Sequence, residues 1–128
     1  MYMKKTLLIL AMAFTCAMSK AQTTEVTYEY KVFTTVESVI PGGLGRSRLI
    51  ATDKSSQIVE KDLENFFSMV GINFKNIQNN DQVITSKINE YAKEGFELNQ
   101  VAPGVYSGSD NKAGIYVTRF VFRKPITK

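Results

Sequence analysis

The segment Asn79–Ala102, NNDQVITSKINEYAKEGFELNQVA, carries the clearest secondary-structure pattern in the chain. Ile84, Ile88 and Tyr91 recur at the spacing of one face of a helix, so we predict a helix over residues 80–94. The Asn-Asn-Asp run at its start offers side-chain acceptors for the first helical amides. Gly95 stands where a left-handed residue ends a helix, and a strand over residues 96–102 follows. One helix with one apolar stripe requires a sheet to pack against.

Strand patterns on both sides of this segment supply that sheet. Val26–Glu37 alternates strictly, with apolar residues at the even positions and polar residues at the odd positions except Phe33. This alternation predicts a strand whose even-numbered side is buried and whose odd-numbered side faces solvent. Ile115–Lys124 carries bulky residues on both sides, which is typical of a central strand. Arg48–Thr52 is predicted as a short additional strand.

The order of these elements predicts an α+β fold with an antiparallel sheet of three to four strands. The last strand lies between the first and the one after the helix, and the helix crosses one face. A helical pattern over Ile58–Val70 predicts an inserted, partly helical segment. The opposite face of the sheet is then too apolar for solvent, and we predict an interaction face there. Its residues are Phe33, Ile115, Val117 and Val121. Either the segment Ile58–Ile77 or another subunit would cover it.

The N-terminal residues 1–21 have the features of a signal peptide. Lys4 and Lys5 precede an apolar run that is too short to span a bilayer, and small residues flank a cleavage site between Ala21 and Gln22. Acylation at Cys16 is the alternative, but the residues before it do not match a lipoprotein signal. We therefore expect an exported protein, periplasmic or secreted, with one small domain over residues 22–128.

Cleavage there would change the charge balance. The chain of 128 residues carries 16 basic and 12 acidic residues, but three of the lysines lie in the signal segment. The remaining 13 basic and 12 acidic residues give a net charge of +1. Because nucleic-acid binding domains are strongly basic, this balance argues against a nucleic-acid partner. No segment is predicted to span a membrane.

A glycine-rich loop with two arginines lies between the first two strands. Gly43, Gly45, Arg46 and Arg48 combine unhindered amides with guanidinium groups, and both suit oxyanions. The loop lacks the Gly-Lys-Ser/Thr ending of a nucleotide-binding loop, and a solvated hairpin loop explains it more simply. As a hypothesis, these four residues form a weak contact site for an anionic glycan.

Three short motifs resemble a known family of small bacterial proteins. They are Glu29–Lys31 at the start of a strand, Glu94–Leu98 at the end of the helix, and Phe122–Pro125 near the C-terminus. The family is a domain of unknown function with the pattern Glu-Tyr-Lys, helix, Gly-Trp-Glu-Leu, hairpin, Phe-Lys-Arg. Phe96 stands where the family has Trp, and residues 42–78 exceed the family length. The resemblance implies the fold and no activity.

The composition removes most classes of enzyme. There is no histidine, and the single cysteine, Cys16, lies in the signal segment, so the usual general base, thiol nucleophile and soft metal ligands are missing. We expect no cofactor and no metal. The sequence predicts a non-catalytic binding or interaction module for a protein or an anionic glycan, with homo-oligomerisation open. The alternatives are a self-associating structural envelope protein and a hydrolase that uses two carboxylates. The carboxylates considered, all read as solvated, are Glu29, Glu37, Glu60, Glu64 and Glu97.

Overall fold

The computed structural model describes residues 26–39, 47–106 and 114–126. These residues form strands β1 (Thr27–Ser38), β2 (Arg48–Thr52), β3 (Ile58–Asp62), β4 (Phe67–Ser68) and β5 (Gly71–Ile72), helix α1 (Phe74–Lys93), and strands β6 (Glu97–Tyr106) and β7 (Ile115–Ile126). The predicted signal peptide lies outside the described residues.

The strands form a five-stranded sheet in the order β3-β2-β1-β7-β6 and a separate two-stranded pair, β4-β5. All neighbouring strands are antiparallel, and β1 and β7 pair along their full length with Phe33 opposite Phe120. The prediction that the last strand lies between β1 and β6 is confirmed, as is the α+β class. The sheet is larger than the three to four strands predicted, because β2 and β3 extend it beyond β1.

The helix predicted over Ile58–Val70 is wrong. Ile58–Asp62 forms the edge strand β3, and all five of its residues are exposed. Consecutive charges at Glu60, Lys61 and Asp62 suit an unpaired sheet edge, where they discourage pairing with another chain. Gly71, with φ of 114°, lies in the β4-β5 pair and does not end a helix. Because neither face of β3 is buried, its apolar and polar residues do not alternate with the period of a strand. The apolar residues of the segment therefore happened to match the spacing of a helix.

Helix α1 begins at Phe74, six residues before the predicted start at Asn80. Its N-cap is Asn73, whose side chain accepts hydrogen bonds from the amides of Lys75 and Asn76 at 3.1 and 3.3 Å. The cluster of Asn residues predicted as caps therefore lies inside the helix. Asn80 is buried there, with 1% of its surface exposed.

The end of α1 agrees with the sequence. Gly95 has φ of 86°, its amide donates to the carbonyl of Ala92, and the amide of Phe96 donates to the carbonyl of Tyr91, each at 3.0 Å. These two bonds form a Schellman motif, in which glycine is favoured because a side chain strains the left-handed conformation. The chain then enters β6 beside β7.

The core lies between α1 and the odd-numbered side of β1, which reverses the predicted orientation of that strand. Phe33 and Tyr91 are fully buried and Phe122 is 1% exposed, with ring centroids 5.2–6.0 Å apart. The even positions of β1 instead include Tyr30 at 57% exposure and Val32 at 40%. Two polar side chains on this side have polar partners, Lys31 in Glu94 and Glu37 in Asn80. The alternation of polar and apolar residues along β1 therefore did not identify the covered side.

Candidate functional site: the open face of the sheet

We use the name open face for the side of the five-stranded sheet opposite α1. Side chains that are paired across antiparallel strands lie on the same face, so the registers define its members. They include Tyr28, Tyr30, Val32, Thr34 and Val36 of β1; Ile115, Val117, Arg119, Val121 and Arg123 of β7; Arg48 and Ile50 of β2; Ile58, Glu60 and Asp62 of β3; and Glu97, Gln100, Ala102 and Tyr106 of β6.

Apolar side chains occupy the middle of the open face. Val32 pairs with Val121 and Val36 pairs with Val117, and these two pairs flank Thr34, which lies beside Ile50 on the neighbouring strand. Val36, Val117 and Val121 are half-buried by their neighbours on the sheet, and Val32 is exposed. The described elements outside the sheet lie on its other side. An apolar sheet face that no described element covers is typical of an interaction site.

Arg119 lies within this apolar centre, between Val117 and Val121 on β7, and other charged groups lie around it. Arg48 pairs with Glu60, and Arg123 Nε donates to Glu97 Oε1 at 2.7 Å while its guanidinium lies 4.7 Å from the ring centre of Tyr28. The bond to Glu97 raises the pKa of Arg123 above its ordinary value. These contacts fix four of the charged side chains at the rim. An apolar centre with a polar rim is the usual anatomy of a protein interface.

Arg119 and Asp62 differ from the other charged residues of the open face. Within the described ranges, neither makes an ion pair. Arg119 pairs with Thr34 and Ala102 across the sheet, and Asp62 pairs with Arg48 at the β3 edge. Both are exposed. They are the charges on this face that remain available for a partner.

The structure brings together three of the four residues predicted for the interaction face. Ile115, Val117 and Val121 all lie on the open face. Phe33 does not, because it is buried beneath the helix, stacked on Phe120 with 4.5 Å between ring centroids. Val32 and Val36 belong to the face and were missed. The alternation along β1 had placed these two valines on the side covered by the helix. Their pairing with Val121 and Val117 on β7 places them on the open face instead.

The predicted anion loop is described only in part. Gly43, Gly45 and Arg46 lie outside the described residues. Arg48 lies on the open face, where its guanidinium is paired with Glu60. Because that ion pair already satisfies Arg48, it is a weaker anion contact than a free arginine at the same position. The glycan hypothesis for this loop stays a prediction.

A polar cleft of about 290 Å³ lies at the C-terminal end of α1. Lys31 Nζ donates to Glu94, lies 5.1 Å from the ring centre of Tyr91 and lies 5.0 Å from that of Phe96. Lys124 Nζ lies 4.6 Å from the Phe96 ring centre. The hydrogen bond from Lys31 lowers the pKa of Glu94.

The charges of this cleft are balanced within the chain. Its lysines are Lys31, Lys54 and Lys124, and its carboxylates are Glu29, Asp53 and Glu94. Cation–π contacts and ion pairs engage the two lysines nearest the aromatic rings. The arrangement joins the end of the helix to β1 and β7, so it explains packing better than ligand binding.

A buried polar cluster lies near the other end of the helix. Asn80 accepts from the amide of Glu64 and donates to its carbonyl, each at 2.8 Å, and donates to Glu37 at 3.2 Å. Loss of hydration raises the pKa of Glu37, although the bond from Asn80 opposes this. Glu37 was predicted to be solvated and Asn80 to cap the start of the helix. The signal for Asn80 was its position four residues before Ile84, in line with the apolar stripe.

Comparisons with protein families, curated proteins and solved structures find no match to this chain. The resemblance to the small bacterial domain family therefore stays a prediction. In the described ranges, no helix has the length and apolar character needed to cross a membrane. Nor do three His, Cys, Asp or Glu side chains group there in an arrangement suited to a metal ion.

Proposed function

We propose that this protein is an exported, non-catalytic interaction module that binds a protein partner through the open face. The observation that carries the proposal is the uneven covering of the sheet. One face packs against α1, and the other presents the paired valines Val32–Val121 and Val36–Val117. A two-layer domain is stable when each apolar face is covered, so the open face favours a second layer from another molecule.

The alternatives are less well supported by the described residues. The lysine cleft balances its own charges, and Arg48 is paired with Glu60. Glu37 has a raised pKa, but its carboxylate bonds to Asn80, which holds the segment at Glu64 to the helix. A carboxyl group with this structural role does not by itself indicate hydrolysis, because structural networks also shift pKa values.

Site-specific photo-crosslinking in cells that produce the full chain tests the proposal. A photoreactive residue replaces Val32 on the open face or, as a matched control, Val101 on the helix side of β6. The two positions are 40% and 43% exposed, so they are equally accessible to solvent. We expect a discrete adduct from position 32 and none from position 101. Equal labelling from both positions, or no adduct from position 32, would contradict the proposed use of this face.

Export is tested by the intact mass of the protein recovered outside the cytoplasm. We expect an N-terminus at Gln22 and no acyl chain. A diacylated Cys16 would contradict both the cleavage site and the soluble exported form.

A further inference from the structure

We infer that the partner on the open face is a second copy of this chain, in a two-fold dimer that stacks the two sheets face to face. The inference rests on the proposed function, because it names the occupant of the same surface. Size, charge balance and charge placement on this face each favour a second copy.

The size of the face suits a stable dimer. Five antiparallel strands about 4.8 Å apart span about 20 Å, and the 12-residue strands β1 and β7 are about 40 Å long, which gives a face of roughly 600–800 Å². Each partner in a standard protein interface buries about 800 Å². Stacked sheets lie about 10 Å apart with their strands nearly aligned, so the valines of the two copies can interdigitate.

The charges of the face are self-complementary. Three arginines, Arg48, Arg119 and Arg123, are balanced by three carboxylates, Glu60, Asp62 and Glu97. A strongly basic or acidic partner would find no net attraction here, whereas a second copy would meet no net repulsion. A buried interface tolerates charges only where each meets its opposite.

A two-fold axis parallel to β1 provides those opposite charges. Because the sheet order is β3-β2-β1-β7-β6, this axis places β1 against the second β1 and β7 against the second β2, with β3 beside it. Val32 and Val36 then lie at the centre of the interface. Arg119 is in register with Thr34, Ile50 and Glu60, and Asp62 lies one residue pair further along β3. Arg119 of each copy therefore faces the acidic pair Glu60 and Asp62 on β3 of the other. Arg119 and Asp62 are the two charged residues of the face without an ion pair in the described part of the chain. The symmetry makes this contact twice.

Sedimentation equilibrium of the purified exported protein over a concentration series tests the dimer. We expect the mass to double with concentration, and Val32→Lys should raise the dimer dissociation constant at least about 100-fold by placing two ammonium groups at the axis. Val101→Lys, the matched control, should change it less than about three-fold. Thermal unfolding checks that each variant is folded.

A charge exchange makes the test specific for the proposed geometry. Arg119→Asp and Asp62→Arg should each weaken dimerisation about ten-fold or more, and the double variant should recover to within about three-fold of the unchanged protein. Recovery in the double variant excludes misfolding as the cause of the single losses.

Three results would overturn the dimer: a single monomeric species at every concentration, equal weakening by the two lysine variants, or no recovery in the double variant. The crosslinking experiment separates this failure from that of the proposed function. An adduct from position 32 that contains a different protein overturns the dimer and leaves the interaction module intact. Absence of any adduct from position 32 contradicts both.

Discussion

The two faces of the five-stranded sheet carry similar residue types but have different surroundings. On the helix side, Lys31 lies beside the rings of Tyr91 and Phe96. Lys31 and Glu37 each have a polar partner, Glu94 and Asn80 respectively. On the open face, Val32 and Val121 pair with each other and no described helix covers them. Whether a position on β1 or β7 is buried in this protein therefore depends on whether its side chain lies on the face that packs against α1.

Because only one face is covered within the described part of the chain, the two faces should contribute to different properties: the helix side to the stability of the fold and the open face to association. Substitutions on the helix side remove contacts within one chain, so they should change the free energy of unfolding at any protein concentration. Substitutions on the open face should leave the isolated chain nearly unchanged and act on association. Single substitutions on the two faces test that separation.

The largest effect is expected at Tyr91, where the helix meets the sheet. Its ring contacts Phe33 and Phe122, and its hydroxyl donates to the carbonyl of Thr52 at 3.2 Å. Tyr91→Ala should lower the free energy of unfolding by about 3–5 kcal/mol because it leaves a cavity in the core. Chemical denaturation measures this, with Tyr30→Ala on the open face as a control expected to cost less than about 1 kcal/mol. Similar losses in the two variants would mean that both faces are packed.

The next effect is expected at Asn80. Asn80→Ala removes the two hydrogen bonds to the part-buried backbone of Glu64 and the one to Glu37. Because a lost hydrogen bond at a group shielded from water costs about 1–3 kcal/mol, we expect a loss of about 2–3 kcal/mol. Asn79→Ala, which removes a single exposed bond to Glu64, is the adjacent control and should cost about 0.5 kcal/mol or less. Denaturation midpoints compare the two. An equal effect would indicate that Asn80 acts only through helix propensity.

Gly95 should show a smaller backbone effect. Gly95→Ala forces a side chain into the left-handed region, where its Cβ would lie 3.3 Å from Lys124 Cδ, and should cost about 1–2 kcal/mol. Gly104→Ala is the control, because its Cβ would meet only the carbonyl of Val117 at 3.6 Å, an ordinary contact. Thermal unfolding of both variants gives the comparison. A larger loss of stability in Gly104→Ala than in Gly95→Ala would mean that the backbone of β6 tolerates a side chain less well than the end of α1 does.

Local signals in the sequence predicted the parts of the fold that depend on local chemistry. Gly95 predicted the helix end, and the bulky residues of Ile115–Lys124 predicted that β7 lies inside the sheet, where it is found between β1 and β6, although β1 is the central strand. Both features depend on side chains close to the point they determine. The α+β class and the strand order β1-β7-β6 followed from them.

Features that depend on distant partners were not predictable in the same way. The predicted covered side of β1 was the wrong one because Lys31 and Glu37 have polar partners in Glu94, which caps α1, and Asn80, within α1, both more than 40 residues away in the chain. A helix was predicted where β3 lies, because a strand with neither face buried lacks the alternation of apolar and polar residues that predicts a strand. Ile115, Val117 and Val121 share one face of the sheet because alternate residues of a strand lie on the same side, and their role in an interaction stays a prediction.

Glu37 should make the free energy of unfolding depend on pH. Burial raises the pKa of this carboxyl from 4.5, so between pH 4.5 and the folded pKa the folded state binds more protons than the unfolded state. Stability contributed by Glu37 therefore falls as pH rises through that window. Glu37→Gln, which keeps an acceptor for Asn80, should make the protein slightly more stable at pH 7 and remove this fall. Denaturation midpoints across pH measure it, with Glu29→Gln as the control for lost charge. An equal gain in the control would assign the effect to net charge.

The smallest effect is expected on the open face, at Val32, beside the buried Phe33. Val32→Thr keeps the shape of the side chain and adds a hydroxyl that an uncovered face can hydrate. In dilute solution we expect a change within about 0.5 kcal/mol. At high concentration a dimer stabilises the folded state by mass action, and the variant should gain less because its hydroxyl is desolvated in the interface. Unfolding midpoints of both proteins over a concentration series measure this difference. A loss above about 1 kcal/mol that does not change with concentration would show that the same chain covers the open face, and the contrast between the two faces would then fail.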